Sequence, residues 1–525
     1  MSGLNLPWVR PRPPCCSGLT EFGSTCIRPP DPVALSRQPR IKGATVTRTI
    51  TVARGDGIGP EIMDAALSIL HEAGAQFDVE FVEMGLSVYE QGNTSGITPE
   101  AWESMRRTRV LYKAPFTTTQ GKGVKSINVT LRKSLGLFAN IRPVMAYTPY
   151  IQSHHPDMNL VIIRENEEDL YAGIEHRQTY EVYQTLKLLS LPGSERIIRY
   201  AFEYARAHDR GKVTCMTKDN IMKLTDGMFH DMINHIAGDY PDIETEHLII
   251  DIGTARLASY PEQFEVVVVP NLYGDVLSDV SALLTGSVGL AGSANIGDSF
   301  AMFEAVHGSA PDIAGKGIAN PSGLLLAGVL MLQYIGQAQV ATRVQNAWLK
   351  TLEDGVHTID IYNEEHSTQT VNTQEFAAAI CDRLGQQPER LHAARAGSAF
   401  GLPEPGQIVK ESRAQKALVG VDVFLDWDEA DRNPDVLGEQ LSAANGEGLN
   451  LIMITNRGQK VWPEGLPETF CTDHWRCRFQ SEEPVSHAHI VRLLGRIEQH
   501  GFDFIKMEGL FTFDGEPGFS LGQGQ

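Results

Sequence analysis

No apolar run in this 525-residue sequence approaches the ~20 residues that a membrane-spanning helix needs. The longest candidates, such as Leu324–Leu332, have the length of core helices, so no membrane partner is expected. Positive charge is also scarce. The 45 lysines and arginines face 65 acids, a net charge of −20. Phosphate backbones need a basic footprint, so nucleic acid is excluded as a main partner. Cysteine is rare: Cys15, Cys16, Cys26, Cys215, Cys381, Cys471 and Cys477 are odd in number and scattered. That fits a reducing compartment better than a disulfide framework. Cys471, His474 and Cys477 lie close together, but no second cluster completes a zinc set, and buried strand thiols are the preferred reading. There is no internal repeat. A hydrophobic content of 42% supports sizeable cores, and the length suggests roughly two to four domains.

Residues 1–46 differ from the rest. Prolines recur, and arginines outnumber the acids Glu21 and Asp31. A continuous apolar segment is missing, which argues against a secretory signal. The composition has some transit-peptide character, but the prolines would break its helix. A disordered extension is expected, with a cytoplasmic protein, or a mitochondrial-matrix one if the segment is a transit peptide.

Order is expected from Thr49. The strand TITVA leads into RGDGIGPEIMDAALSIL, where Pro60 suits a first helical position. The dinucleotide fingerprint G-x-G-x-x-G fails here, because Pro60 stands where its third glycine would be. Gly55, Gly57 and Gly59 still allow close backbone approach to a bound group.

The chain is best organised around NLYGDVLSDVSALL, Asn271–Leu284. It follows the apolar run Phe264–Pro270, which reads as a buried parallel strand, and Gly274 is expected to let the chain turn. Asp275 and Asp279 then share one helix face. Stacked carboxylates repel unless solvent or a cation separates them. Their place past the carboxyl end of a buried strand, where open α/β sheets put ligands, favours an oxygen-liking dication such as Mg²⁺ or Mn²⁺. Asp251, ending the strand HLIID, is a candidate third ligand.

Ser126, Asn128 and Arg132 fall on one helical segment, Arg142 follows, and Arg164 ends the apolar strand LVII. Each arginine abuts an apolar element. Together they suit a multiply charged small acid, because guanidinium forks match carboxylates. Tyr171 and Lys218 are the right kinds of group for proton transfer. The loop FAMFEAVHGSAPDIAGKGIANP carries His307 and Asp312 and is too rich in glycine and proline for regular structure. Residues 386–416 read as a linker, and 417–525 as a small βαββαβ domain of ferredoxin-like layering.

GDGIGPE, NLYGDVLSD and FEAVHGSAPDIAGKGIANP resemble the isocitrate/isopropylmalate family of metal-dependent β-decarboxylating dehydrogenases. SINVTLR and ENEEDLYAG point to isocitrate within it. VGVDVF, ITNRG, HWRCRF and FDGEPGF resemble the extra carboxyl-terminal domain of a bacterial subgroup. The resemblance implies a twisted two-domain α/β fold that is not a Rossmann fold. The catalytic domain spans about 47–385, with a large part (47–137 and 287–385) and a small part (138–286), and an α+β domain follows.

It implies that Ser126, Asn128, Arg132, Arg142 and Arg164 bind the substrate carboxylates. Asp251 from the partner subunit of a homodimer, with Asp275 and Asp279, would hold Mg²⁺ or Mn²⁺. Tyr171 and partner-subunit Lys218 would form the acid–base pair. Thr118, His307, Gly308, Asp312, Ile313 and Asn320 would face the dinucleotide. NADP-using members place Lys-Tyr where Asp312-Ile313 stand, and Tyr and Arg where Ile359 and Asn363 align. A carboxylate favours a free 2′-hydroxyl over a phosphate, so NAD is expected over NADP. The rivals are a 3-isopropylmalate or homoisocitrate dehydrogenase, which would need an apolar or longer cavity at Ser126 and Asn128, and a non-catalytic regulatory subunit.

Overall fold

The computed structural model describes residues 48–118, 126–395 and 413–522. The expected extension 1–46 and the middle of the linker lie outside the described residues, as do Cys15, Cys16 and Cys26. No helix is long and apolar enough to cross a membrane among the described residues.

Ten strands form one sheet in the order Phe77–Phe81, Arg48–Ala53, Val110–Lys113, Ala301–Ala305, Gly292–Ile296, Ala139–Met145, Asn159–Glu165, Val266–Val269, Lys212–Thr217 and Glu244–Ile249. The first four pair in parallel, and so do the last four. The two middle strands pair antiparallel with each other and with the wing beside each. Val266–Val269 is buried at all four positions, which is why it reads as an unbroken apolar run rather than an alternation. Helices cover the sheet, and the largest core runs continuously from Ile50 and Ile62 to Trp348 and Ile380.

Two glycine expectations change. Gly57 (φ +59°) does not open space for a ligand: a Cβ there would lie 2.0 Å from the Ser309 carbonyl oxygen. Its neighbours are bonded to two other loops, Ile58 N–H to Ser309 at 2.9 Å and Asp56 N–H to Pro115 at 2.8 Å. The glycine-rich turn knits three loops together, and the close backbone it admits is the protein's own. Gly274 makes no turn either. The helix Asn271–Leu284 starts right after Pro270, and Gly274 lies within it. A Cβ at Gly274 would meet the Arg164 side chain at 2.5 Å, so its absence lets Arg164 lie across the helix.

Residues after the linker build a six-stranded antiparallel sheet in the order Gln459–Trp462, Asn450–Asn456, His474–Gln480, Lys416–Asp426, Asp503–Phe513, Glu516–Pro517. Its four central strands with helices Pro434–Leu441 and His487–Gln499 give the βαββαβ order read from the sequence. The edge strands Gln459–Trp462 and Glu516–Pro517 are additions. Cys477 and Trp475 sit in this domain's own core. Cys471 is only half-buried, and its thiol faces the Thr469 carbonyl at 3.6 Å, so the Cys-His-Cys stretch makes no metal set.

Candidate active site

Asp275 and Asp279 project one turn apart from the helix Asn271–Leu284, which begins just past the carboxyl end of the buried strand. Across from them stand two guanidinium groups. Arg164, 1 % exposed at its side chain, ion-pairs with Asp275. Its Nε and an Nη donate to Asn271 Oδ1 at 3.0 and 2.8 Å. Arg142 reaches Asp275 at 3.5 Å and Asp279 at 3.4 Å and also donates to Ser278 Oγ. The Tyr171 hydroxyl donates to Asp275, and its ring lies under the Arg164 guanidinium, 4.8 Å away.

The electrostatics follow from this arrangement. Burial pushes the Asp275 carboxyl up, but Arg164 and Arg142 outweigh it and hold the group below its ordinary value. Asp279 goes the other way: burial raises it and Asp275 adds to the rise. Burial also raises the Tyr171 phenol, which keeps its proton at neutral pH. Asp279 keeps 64 % of its side chain exposed and Asp275 keeps 34 %. Two open carboxylates one helical turn apart fit a hard, oxygen-seeking dication.

Beneath the arginines lies a polar layer that the sequence reading missed. The segment expected to be an irregular loop opens with a buried strand, Ala301–Ala305, because its first six residues hold no glycine or proline, and Glu304 is buried in that strand. It binds Lys113 at 2.5 Å, Arg132 at 2.9 Å and the Asn295 amide at 2.8 Å. Asn295 in turn accepts from Asn140 at 2.9 Å, and Asn140 accepts from Arg142 Nε at 2.6 Å. Burial alone would raise the Glu304 carboxyl, but Lys113 and Arg132 drive it far below the carboxylate range. Arg132 and Arg142 are thereby fixed from behind. A single acid within AMFEAV and a single lysine ending VLYK were the available signals.

Arg132 and Arg142 open onto a cavity of about 510 Å³, with Asn128, Thr118 and His307 also on its wall. Ser126 stands at the N-cap position of the helix Ile127–Ser134 without a capping side-chain hydrogen bond, and Asn128 and Arg132, four residues apart within it, share one face. Asn128 Oδ1 and Arg132 Nε are buried and have no hydrogen-bond partner among the described residues. A polar ligand would satisfy them.

A second cavity, about 500 Å³, shares His307 and Gly308 with the first and adds Ile313, Asn320, Ile359 and Asp360. Burial lowers the His307 pKa, so its ring is neutral. Nδ1 faces the Gly308 carbonyl at 3.0 Å, and Nε2 has no partner among the described residues. Asn320 donates to Asp360 at 3.0 Å. Among the described residues nothing lies within 4 Å of a Cβ at Gly308, so this is where backbone could approach a bound group. Asp312 sits exposed on the turn Pro311–Ile313.

Lys218 and Asp251 form a separate pair at 2.6 Å. Asp251 does not end a strand; it stands in the first turn of the helix Ile250–Ser259. The Lys218 backbone N–H donates to the buried Asp226 at 2.7 Å, and Asp226 also binds Lys187 at 2.6 Å. Asp251, Asp275 and Asp279 do not converge within one chain: among the described residues the one three-ligand cluster is Asp219, His230 and His247.

Comparison with known proteins agrees with this geometry. Residues 49–380 match the family described as isocitrate/isopropylmalate dehydrogenase, and residues 416–525 match the bacterial isocitrate dehydrogenase C-terminal domain. The chain is 53% identical over 479 residues to the isocitrate dehydrogenase [NADP] of Rickettsia bellii, covering 91% of this chain and 99% of that one. It is 45% identical over 487 residues to that of Thermus thermophilus, covering 91% and 96%. The crystal structure of the TT0538 protein from Thermus thermophilus superposes with a TM-score of 0.85 at 45% identity, again covering 91% and 96%.

These relatives are named for NADP, which overturns the expected preference for NAD. The physical reason lies in the exposure of Asp312. A carboxylate in water repels a charge 4 Å away by only about 1 kcal/mol, too little to exclude a phosphate. The match along both segments settles the lineage: the chain belongs to the isocitrate/isopropylmalate dehydrogenase family, in the bacterial branch that carries the extra C-terminal domain.

Proposed function

We propose that this protein oxidises and decarboxylates isocitrate to 2-oxoglutarate and CO₂, reducing NADP with the help of Mg²⁺ or Mn²⁺. The observation that carries this is that Arg132 and Arg142 line one cavity, while Arg142 and Arg164 both pair with Asp275 and Arg142 also reaches Asp279. Three buried cations need anions, and in their absence they take the protein's own carboxylates. A tricarboxylic acid would supply them.

In this reading Ser126 and Asn128, with the three arginines, hold and orient the substrate carboxylates. Asp275, Asp279 and Asp251 of the partner subunit would hold the dication, which when bound supplies Lewis-acid polarisation of the reacting oxygens. Lys218 of the partner subunit removes the hydroxyl proton, and Tyr171 returns a proton to carbon after CO₂ leaves. Thr118, His307, Gly308, Ile313 and Asn320 line the dinucleotide's path, and Asp312 stands at its edge.

A homodimer is supported by two features. Lys218 and Asp251 stand apart from Asp275 within the chain. The helices Ile250–Ser259 and Asn271–Leu284 also expose Ile252, Val276 and Leu283, an apolar face that a second copy would cover. Initial rates test the reading. Isocitrate with Mg²⁺ and NADP should outpace isocitrate with NAD and outpace 3-isopropylmalate or homoisocitrate with either cofactor. Faster turnover of 3-isopropylmalate would refute it, as would inactivity of the purified chain.

A further inference from the structure

Next to Lys218 in the sequence begins a place where three side chains from three elements meet. Asp219 follows the strand Lys212–Thr217, His230 stands in the helix Thr225–Ala237, and His247 in the edge strand Glu244–Ile249. Asp219 Oδ2 lies 2.8 Å from His230 Nδ1. The two imidazole rings stack with centroids 3.5 Å apart and planes 13° from parallel. His247 Nε2 lies 2.8 Å from Thr217 Oγ1. One ligand atom from each residue falls within 4.8 Å of the other two, and all three residues are half-buried, so water and ions reach them.

We propose that Asp219, His230 and His247 form a second metal site, selective for an imidazole-seeking divalent ion such as Zn²⁺ and distinct from the all-carboxylate site around Asp275. Two imidazoles and one carboxylate are a known three-ligand set for transition metals, with the remaining position left to water. The catalytic candidates offer only oxygen, which suits Mg²⁺ or Mn²⁺. The two sites therefore divide metals by ligand softness.

The geometry needs little change. Ligand atoms around a four-coordinate Zn²⁺ with bonds of about 2.0–2.1 Å lie roughly 3.4 Å apart. Asp219 and His230 are already closer than that. His247 has to turn its ring out of the stack and release Thr217, a side-chain rotation on an edge strand with no backbone rearrangement. The charge state also suits a ligand. Burial and the neighbouring His230 lower the His247 pKa, and although burial works against it, His230 and His247 keep Asp219 ionised. Neutral imidazole and charged carboxylate are the forms that bind metal. Parallel rings at 3.5 Å cannot both be protonated without strong repulsion, so the stack itself keeps at least one imidazole neutral.

The test separates this site from the catalytic one. Metal-stripped full-length protein carrying Asp275→Asn and Asp279→Asn is titrated with Zn²⁺ by calorimetry and with Co²⁺ by visible absorption. One ion per chain is expected, with Co²⁺ bands of low-coordinate type. Adding His230→Gln or His247→Gln should abolish the stoichiometric binding or weaken it at least tenfold, with circular dichroism checking the fold. A measurement on the unaltered chain covers the case of a misfolded variant. In excess Mg²⁺ and isocitrate, Zn²⁺ should protect His230 and His247 from diethylpyrocarbonate, read by mass spectrometry. Undiminished Zn²⁺ binding in folded histidine variants, no Zn²⁺ bound by the Asp275→Asn/Asp279→Asn protein, or no protection of the two histidines would overturn the proposal.

Discussion

Arg432, in the C-terminal domain, grips the carboxylate of Glu181 with two nitrogens at 2.9 Å each. Glu181 stands in the tip of a hairpin formed by Glu175–Arg177 and Tyr183–Thr185, which belongs to the catalytic domain. Beside this pair, Asp473 accepts from Thr179 Oγ1 at 2.6 Å and from the Glu181 N–H at 3.2 Å. The extra domain therefore holds the hairpin by its tip. Asp473 is buried, whereas Glu181 keeps 35 % of its side chain exposed.

The two contacts should differ in strength. Asp473→Ala leaves a buried hydroxyl and a backbone N–H unpaired, which costs about 1–3 kcal/mol. The half-exposed pair Glu181–Arg432 should show a coupling of about 0.2–1 kcal/mol in a double-mutant cycle, falling with salt. Hydrogen exchange at residues 178–183 reads both. Faster exchange in Asp473→Ala than in Arg432→Ala is expected. Equal effects would mean that the ion pair, not the buried carboxylate, holds the hairpin.

Glu304 compensates two buried cations at once. Glu304→Gln should destabilise the fold by about 3–5 kcal/mol, because Lys113 and Arg132 stay buried without their counter-charge. Lys113→Met with Glu304→Gln should recover part of that loss, since one unpaired charge goes with it. Urea midpoints on the parent and the two variants measure this. In the single mutant Arg132 loses its rear anchor, so KM for isocitrate should rise more than kcat falls.

Tyr171→Phe and Lys218→Met should each slow turnover by ~10²-fold or more, the usual scale for losing a positioned acid or base. Because neither side chain is assigned to a substrate carboxylate, KM should change much less than kcat. A kcat close to the parent value in either variant would remove that residue from the proton-transfer steps.

The legible parts of this protein were those where a local pattern carries the meaning. The run of four valines is legible as an unbroken apolar stretch, and the helix holding Asp275 and Asp279 and the placing of Arg132 one turn past Asn128 follow from helical periodicity. What stayed hidden depends on partners far away in sequence. Glu304 falls in the segment read as a loop and Lys113 in a strand far from it in sequence, and only the parallel pairing of their strands brings them together. Gly57 and Gly274 show the same limit. A sequence reveals that a side chain is missing, but not whether a ligand, a loop or an arginine fills the space. The cofactor expectation failed because it weighed the charge of Asp312 and the lost cations at Ile359 and Asn363 without knowing that Asp312 is exposed.

Glu165, the last residue of the strand bearing Arg164, gives the protein a pH dependence with a definite sign. Its side chain is buried and accepts from the backbone N–H groups of Glu167 and Glu168. Burial is the larger influence and pushes its pKa up to about 7, against those hydrogen bonds. A carboxyl raised in the folded state binds its proton more tightly there than in the unfolded chain. Its contribution to stability is therefore complete below the unfolded value near 4.5 and is lost as pH rises towards 7. A shift of this size corresponds to roughly 3 kcal/mol. Glu165→Gln, which keeps an acceptor for the two N–H groups and cannot ionise, should show no such decline. The stability difference between the variant and the parent, from urea unfolding at a series of pH values, should be smallest at pH 4.5 and grow in the variant's favour until about pH 8. A difference independent of pH would mean that Glu165 is already ionised in the folded protein at pH 5 and that its two backbone hydrogen bonds outweigh its burial.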